Sequence, residues 1–410
     1  MTGLRALARN RDFTTLWVGE TVNELGTRMS TFVLPLVGLA ISRSAVTASL
    51  AEAAYLLGTV LTLLPGGVLV DRFDRRRLMI AASATGGLCY GSLAVAASAG
   101  VLTIPHLVAV GLVAGAAVGV FGPAQISAIR SVVPTALLPA ALSQNEARQH
   151  VAGLLGGPLG GLLLAVARGL PFAVNATTAA VSCWTLSRIR TDLSATAGRG
   201  SPWLADLREG VRFVLARPFF RHLALWAALV NLVLNALLFV VVLRMARAGS
   251  HPSEIGLASA AAGVGGILGA LLAPWLVARV ATGRLTVLIA WSVVVPVAPL
   301  VWWAHPVVAG AALFVVLLLN PAGNAGIAAY RIAVTPARLQ GRVSSASSFL
   351  SSSVMPLAPV LGGVLLEAFG GRAATAVLLA ATAGTALLAT LSRPIREVPG
   401  PHAWPRAVQP

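Results

Sequence analysis

The chain has 410 residues and no lysine: all 30 of its basic residues are arginine. Acids are scarce as well, with 13 Asp and Glu together, so only 10% of the chain is charged while 57% is hydrophobic. A soluble globular protein carries about 25% charged residues, and this chain falls too short of that to cover a water-facing surface. The deficit excludes a cytosolic enzyme, a secreted disulfide scaffold and a disordered protein. Cysteine is nearly absent. Cys89 and Cys183 lie inside apolar runs and form neither a disulfide framework nor a metal motif. No His and acid stand at ligand spacing, and no nucleophile stands with a base and donor, so no metal, no cofactor and no enzymatic reaction is expected.

What is present is apolar length. Mean hydropathy is +0.84. A helix needs about 20 mainly apolar residues to cross a bilayer core. Breaks at Arg, Pro and Gly clusters leave twelve such runs, near 13–41, 45–70, 78–98, 104–129, 141–167 and 170–187, then 222–243, 254–277, 285–304, 307–330, 343–369 and 373–392. The expected fold class is an all-α integral membrane protein of twelve transmembrane helices. The sixth run is the shortest.

The arginines orient it. With the N-terminus inside, 24 of the 30 fall on the cytoplasmic side, 5 outside, and Arg28 within the first run. That asymmetry places both termini in the cytoplasm of a cell (plasma or inner) membrane. The net charge of +17 then meets anionic lipid head groups rather than nucleic acid. The long connection 188–221 carries Trp203, Leu204, Leu207, Val211 and Val214 at helical spacing, which reads as an amphipathic helix on the cytoplasmic membrane surface.

The chain also repeats itself at an offset of 202. Pro134 matches Pro336, and the run from Gly160 and Gly161 to Leu164 matches that from Gly362 and Gly363 to Leu366. Two pseudo-symmetric six-helix halves follow: residues 1–190 and 222–396, with a cytoplasmic linker at 191–221 and a tail at 397–410. Transporters built from such repeats bind substrate near the bilayer midplane.

Ionisable groups inside a span are costly and mark function. The first run carries Glu20, Asn23, Glu24 and Arg28, with Glu20, Glu24 and Arg28 four apart on one helix face. Glu24, or Glu20, is a candidate proton or cation site, and Glu24 with Arg28 is also a candidate internal ion pair. Gln125 in the fourth run, Asn231 and Asn235 in the seventh, and Asn320 and Asn324 in the tenth add amides at matching helices of each half, as a cavity wall would. Each single Asn could equally make an interhelical hydrogen bond. Glu52 stands near the outer end of the second run, within reach of Arg43 or of the head groups. Asn145, Glu146 and Gln149 open the fifth run, where an acid suits a helix N-terminus.

The loop after the second run reads Gly67-Val68-Leu69-Val70-Asp71-Arg72-Phe73-Asp74-Arg75-Arg76-Arg77. It resembles the major facilitator superfamily signature G-x-x-x-D-R-x-G-R-R, departing from it at Asp74. More narrowly, Asn10 to Trp17, Phe121-Gly122-Pro123-Ala124, Pro171 to Ala176 and Gly341 to Ser344 resemble the efflux branch that holds the enterobactin exporter and macrolide efflux proteins. The resemblance implies a major facilitator fold and a switching role for the loop, with Gly67, Asp71, Arg72, Arg75 and Arg76 as its residues. Exporters of the superfamily carry G-P-x-x-G-G on the fifth helix. Here Gly157, Pro158, Gly160 and Gly161, with the Pro one residue too close to the glycine pair, and Pro359, Gly362 and Gly363 in the second half, which keep the spacing, are the candidate gating bends. Many drug/proton antiporters also have an Arg four residues before a helix-four glycine, but this chain has Gly111 there.

The expectation is a proton-coupled exporter of small amphipathic molecules such as drugs, siderophores or secondary metabolites. It would act as a monomer by alternating access, with small-molecule substrate and protons as partners. A solute importer, and a receptor or scaffold that kept the fold, are the alternatives.

Overall fold

The computed structural model describes residues 2–194, 203–336 and 339–400. It is helical throughout: α1 (Thr2–Arg9), α2 (Arg11–Ser42), α3 (Ala45–Arg72), α4 (Arg75–Ser98), α5 (Ile104–Val132), α6 (Leu138–Val166) and α7 (Leu170–Ser187), then α8 (Trp203–Ala216), α9 (Pro218–Arg247), α10 (Pro252–Arg279), α11 (Thr282–Val297), α12 (Pro306–Val334), α13 (Gln340–Ser352), α14 (Leu357–Leu391) and α15 (Arg393–Arg396). Helix starts are written in the sequence. The side chains of Asn10, Ser44 and Asp74 accept from the backbone N–H groups of Phe13, Thr47 and Arg77. Proline opens α9, α10 and α12, where its missing N–H leaves no helix bond unmade.

Ten segments are long and apolar enough to cross a membrane; the last, Gln340–Leu391, is 52 residues long and holds two spans. With the 18-residue α7 the count is twelve. Leu61, Leu88, Val166, Leu271 and Val295 are each at least 60% exposed, an apolar outer surface suited to lipid and not to water.

The chain divides into two compact units, residues 1–200 with 251–256, and residues 201–250 with 257–410. Within the first, glycines set how closely helices pack. A β-carbon on Gly111, Gly115 or Gly119 of α5 would run into the carbonyl oxygens of Ala51, Tyr55 and Thr59 of α3. The four-residue spacing on both helices keeps one face against the other for two turns. In the second unit Gly265 and Gly269 of α10 meet the carbonyls of Phe314 and Leu318 of α12 in the same manner.

The repeat is therefore visible in packing. α5 and α12 are both 29 residues long and start 202 residues apart. A β-carbon at Gly160 would lie 2.8 Å from the Met29 carbonyl of α2, and one at Gly362 would lie 2.9 Å from the Ala236 carbonyl of α9. The same glycine of each half thus seats the first long helix of that half.

Three expectations need correction. The run 343–369 is not one helix: α13 ends at Ser352, a turn follows, and α14 starts at Leu357, where Pro359 falls in the first turn and needs no bend. α14 then passes through Gly370, whose φ of +73° and ψ of 170° break the helix between the last two spans. Second, α6 starts at Leu138, so Asn145, Glu146 and Gln149 lie two or more turns inside it and cap nothing. Third, the described apolar face of α8 rests on protein rather than lipid. Val214 is fully buried, and it packs with Leu207 and Val211 against Val343 and Ala346 of α13, beside a Glu209–Arg342 ion pair. The side chains of Trp203 and Leu204, linker residues 195–202 and tail residues 401–410 lie outside the described residues.

Candidate functional site

The polar groups of the first unit converge on Glu20. α2 carries Gly19 and Gly26, seven residues apart, facing Thr185 and Thr178 of α7, also seven apart. This close approach brings Ser182 of α7 to Glu20, and its hydroxyl donates to Glu20 Oε1 at 2.8 Å. Ser83 of α4 lies 3.1 Å from the same hydroxyl. From the other side Gln125 Nε2 of α5 donates to Glu20 Oε2 at 3.5 Å.

Arg148 of α6 completes the cluster. Its Nη1 donates to the Glu20 backbone carbonyl at 2.7 Å. Its Nη2 donates to Asn145 Oδ1 at 2.9 Å and Gln125 Oε1 at 3.3 Å. Glu20, Gln125, Asn145, Arg148, Ser182 and Ser83 are all buried. One acid and one base, joined through neutral amides and hydroxyls, form a neutral group in a medium where an unpaired charge would be expensive.

The other first-span residues separate from it. Asn23 adjoins Glu20. Glu24 and Arg28 pair at 2.8 Å, and their side chains keep 25% and 48% of their exposure. Glu52 forms no ion pair with Arg43 or any other described residue. Arg43 instead ends α2 in the left-handed conformation.

In the second unit Asn231, Asn320 and Asn324 line a cavity of about 340 Å³ together with Trp226, Thr286 and Arg331. Asn231 donates to the Ser351 carbonyl, and Asn324 to the Asn320 side-chain oxygen at 2.8 Å. Asn235 does not face this cavity but donates to the Asn231 carbonyl.

The loop at the end of α3 is tied within its own unit. Arg76 Nη2 donates to the Thr191 carbonyl at 2.7 Å, and Arg75 reaches Ser131 and the Ser194 carbonyl. Asp12 of α2 accepts from the N–H and hydroxyl of the same Thr191, at 2.7 and 2.6 Å. Nearby, two hydrogen bonds from Ser194 hold the exposed Asp192 below the usual carboxylate range. Asp74, the departure from the superfamily signature, is the N-cap of α4, whereas Asp71 and Arg72 have no partner among the described residues. Gly67 has open space around it. Pro158 sits within an unbroken α6, and Gly161 lies against Pro252. A side chain on Gly111 would collide with α3, so the helix-four arginine of the antiporters has no room here.

Sequence reasoning missed Arg148, Ser182 and Arg331. A count of the arginines by side puts Arg148 among the 24 cytoplasmic ones. Its signal is an arginine ten residues into a helix, three residues after Asn145.

Comparison with known proteins agrees with this architecture. The sequence model of the Major Facilitator Superfamily matches residues 16–357. The chain is 28% identical over 396 residues to the multidrug efflux pump Tap of Mycobacterium bovis and of Mycobacterium tuberculosis, covering 91% of each chain. It is 26% identical to Tap of Mycolicibacterium fortuitum, covering 84% of this chain and 87% of the relative. Its fold is similar to a bacterial homolog of the human lysosomal transporter Spinster in an inward-facing, occupied conformation, with a TM-score of 0.76, 14% identity and coverage of 93% and 96%. It is also similar to the nucleoside transporter NupG, at 0.71 and 12% identity, covering 92% and 99%. With a family match over most of its length and twelve membrane helices in two repeated sets, the chain belongs to the Major Facilitator Superfamily and is a multi-pass secondary transporter of small molecules.

Proposed function

We propose that this transporter is a proton-coupled exporter of small amphipathic molecules, working by alternating access as a monomer in the cell membrane with both termini cytoplasmic. The two six-helix halves, 1–190 and 222–396, are its functional domains. The export direction is supported by the Tap relatives, which are efflux pumps aligned over 91% of both chains.

The observation that carries the coupling is the burial of Glu20. Its carboxylate accepts from the Ser182 hydroxyl, a donor able to change role, and from the Gln125 amide. Ser182 can turn its hydroxyl toward Ser83, while the Gln125 amide is held in one orientation because its Oε1 accepts from Arg148. A proton arriving at Glu20 Oε1 is thus accommodated by rotation of the Ser182 hydroxyl, which then accepts from the acid and donates to Ser83. Arg148 supplies the compensating positive charge, in place of the arginine excluded at position 111. Glu24, partly exposed, and Arg28, exposed, are mutually paired and serve the water-facing approach. Arg75 and Arg76 anchor the switching loop, leaving Asp71 and Arg72 as its mobile contacts. Gly160 and Gly362 act as close-packing points on which α6 and α14 pivot.

The test uses everted vesicles and a compound found by an efflux-dependent resistance screen. Addition of that compound should evoke proton release with wild type and with Glu24→Gln. It should evoke none with Glu20→Gln, although the compound still binds. Normal coupling in Glu20→Gln would sink the assignment.

A further inference from the structure

The repeat lets the interiors of the two units be compared position by position. The glycine contacts place Met29 opposite Ala236, an offset of 207 for the first long helix of each half. The matched bounds of α5 and α12 give 202 for the fourth. The glycine and proline repeats give 202 for the fifth. Glu20 then corresponds to Ala227, Gln125 to Ile327 and Arg148 to Leu350. Each of these three members of the buried cluster is matched by a small or apolar residue. Ala227 and Ile327 line the 340 Å³ cavity, and so does Ser351 beside Leu350. The space that charges fill in one unit is open in the other.

One charge has been added. Arg331 lines this cavity, and its counterpart, Ile129, is buried in the apolar core of the first unit. Membrane anchoring does not require a charge on that face. In the first unit the arginine is the next residue, Arg130, which is exposed; in the second unit that outward place holds Ile332, 58% exposed. The charge has moved one residue along the helix and turned inward. The Arg331 guanidinium has no hydrogen bond or ion pair among the described residues. No Asp or Glu lines the cavity. Asn320, Asn324 and Arg331 fall on one face of α12, at spacings of four and seven. The side-chain N–H₂ of Asn320 and the side-chain carbonyl of Asn324 also lack partners among the described residues.

We propose that this cavity binds an amphipathic anion, with its carboxylate or other acidic group on Arg331 and its apolar body against Trp226, Ile289 and Val293. An unpaired guanidinium above an amide ladder recognises an acceptor-rich acidic group. The wall of Val, Ile, Leu and Trp takes up the remainder, and the volume lies at the small end of the ligand-site range of about 300–1,000 Å³. The proposal narrows the cargo of the exporter described above and rests on that reading, but its test needs neither a proton gradient nor transport.

Full-length transporter in nanodiscs is titrated with three dansyl probes that differ in charge: dansylglycine (anion), dansylamide (neutral) and monodansylcadaverine (cation). Energy transfer from Trp226, checked with Trp226→Phe, reports occupancy of this cavity. Dansylglycine should bind wild type about tenfold more tightly than monodansylcadaverine. Arg331→Gln should weaken dansylglycine about tenfold and dansylamide by less than about twofold, while Arg331→Lys retains most of the preference. Equal affinities for anion and cation in wild type, or an unchanged dansylglycine affinity in Arg331→Gln, would overturn the proposal. Should Arg331→Gln fail to fold, Asn324→Asp decides: an acid on the wall offsets the Arg331 charge and should abolish the preference for the anion, and an unchanged preference overturns the proposal. Anion binding without substrate-evoked proton release would count against proton-coupled export and leave this site standing.

Discussion

Arg148 and Glu20 are held together without a direct ion pair. The guanidinium donates to the Glu20 backbone carbonyl at 2.7 Å, and the Gln125 amide stands between the two charged ends. Arg148→Gln would leave the buried carboxylate uncompensated, a loss of about 3–5 kcal/mol. The double variant Glu20→Gln with Arg148→Gln removes both charges and should be more stable than Arg148→Gln alone. Thermal unfolding in detergent checks the order; a strictly additive loss would show that the two residues do not act as a pair.

The fit of α3 against α5 predicts opposite results for two glycines. Gly115→Ala drives a methyl group into the Tyr55 carbonyl and should cost about 1–3 kcal/mol. Gly67→Ala meets nothing within 4 Å and, in a helix interior, should be neutral or stabilise by up to about 1 kcal/mol. Melting temperatures decide the point. A Gly67→Ala variant that melts normally but transports slowly would place its role in motion and not in folding.

Thr191 is gripped from two directions, by Asp12 through its N–H and hydroxyl and by Arg76 through its carbonyl. Asp12→Asn weakens charge-assisted bonds to three donors, since Arg190 N–H also reaches Asp12. Hydrogen exchange over residues 189–194 should quicken at least about tenfold, matching the roughly 1.5–3 kcal/mol of a hydrogen bond to a charged group. Unchanged exchange would show that this exit segment is held by packing alone.

Gly210 of α8 has the Arg342 carbonyl of α13 where a β-carbon would stand. Gly210→Val should lift α8 from α13 and expose its apolar face. Glu209→Ala removes only a partly exposed ion pair and should cost less than about 1 kcal/mol. Accessibility of a cysteine placed at Val211 to a water-soluble maleimide, in a background without Cys89 and Cys183, distinguishes the two. Equal labelling in both variants would contradict the packed arrangement.

Much of this architecture is legible from one sequence because a bilayer leaves few choices. Apolar runs of about 20 residues must be helices, and their arginines mark the ends. The polar positions of α2 are readable for the same reason. What stays hidden is direction. A count by sides treats Arg148 as an anchor, although it points inward to Glu20, and treats Arg331 the same way. The helical spacing of α8 gives an apolar face but not its cover, because lipid and α13 would select the same residues. Ser182 gives no signal of its own. It matters only because Gly19 and Gly26 let α7 approach, and such contacts between distant segments are not written in local spacing.

The duplicated scaffold has one more consequence. Two copies of the same helix set, seated by the same glycine, have diverged in content: one interior is filled by a buried acid and base, the other is hollow and carries a single arginine. On this arrangement, the residues that choose a cargo and those that harness an energy source belong to separate copies. Substitutions along α9 and α12 can then retune what is recognised while the ionic interior of the first copy stays intact. That separation is a route by which one lineage of pumps could acquire new compounds without rebuilding its engine.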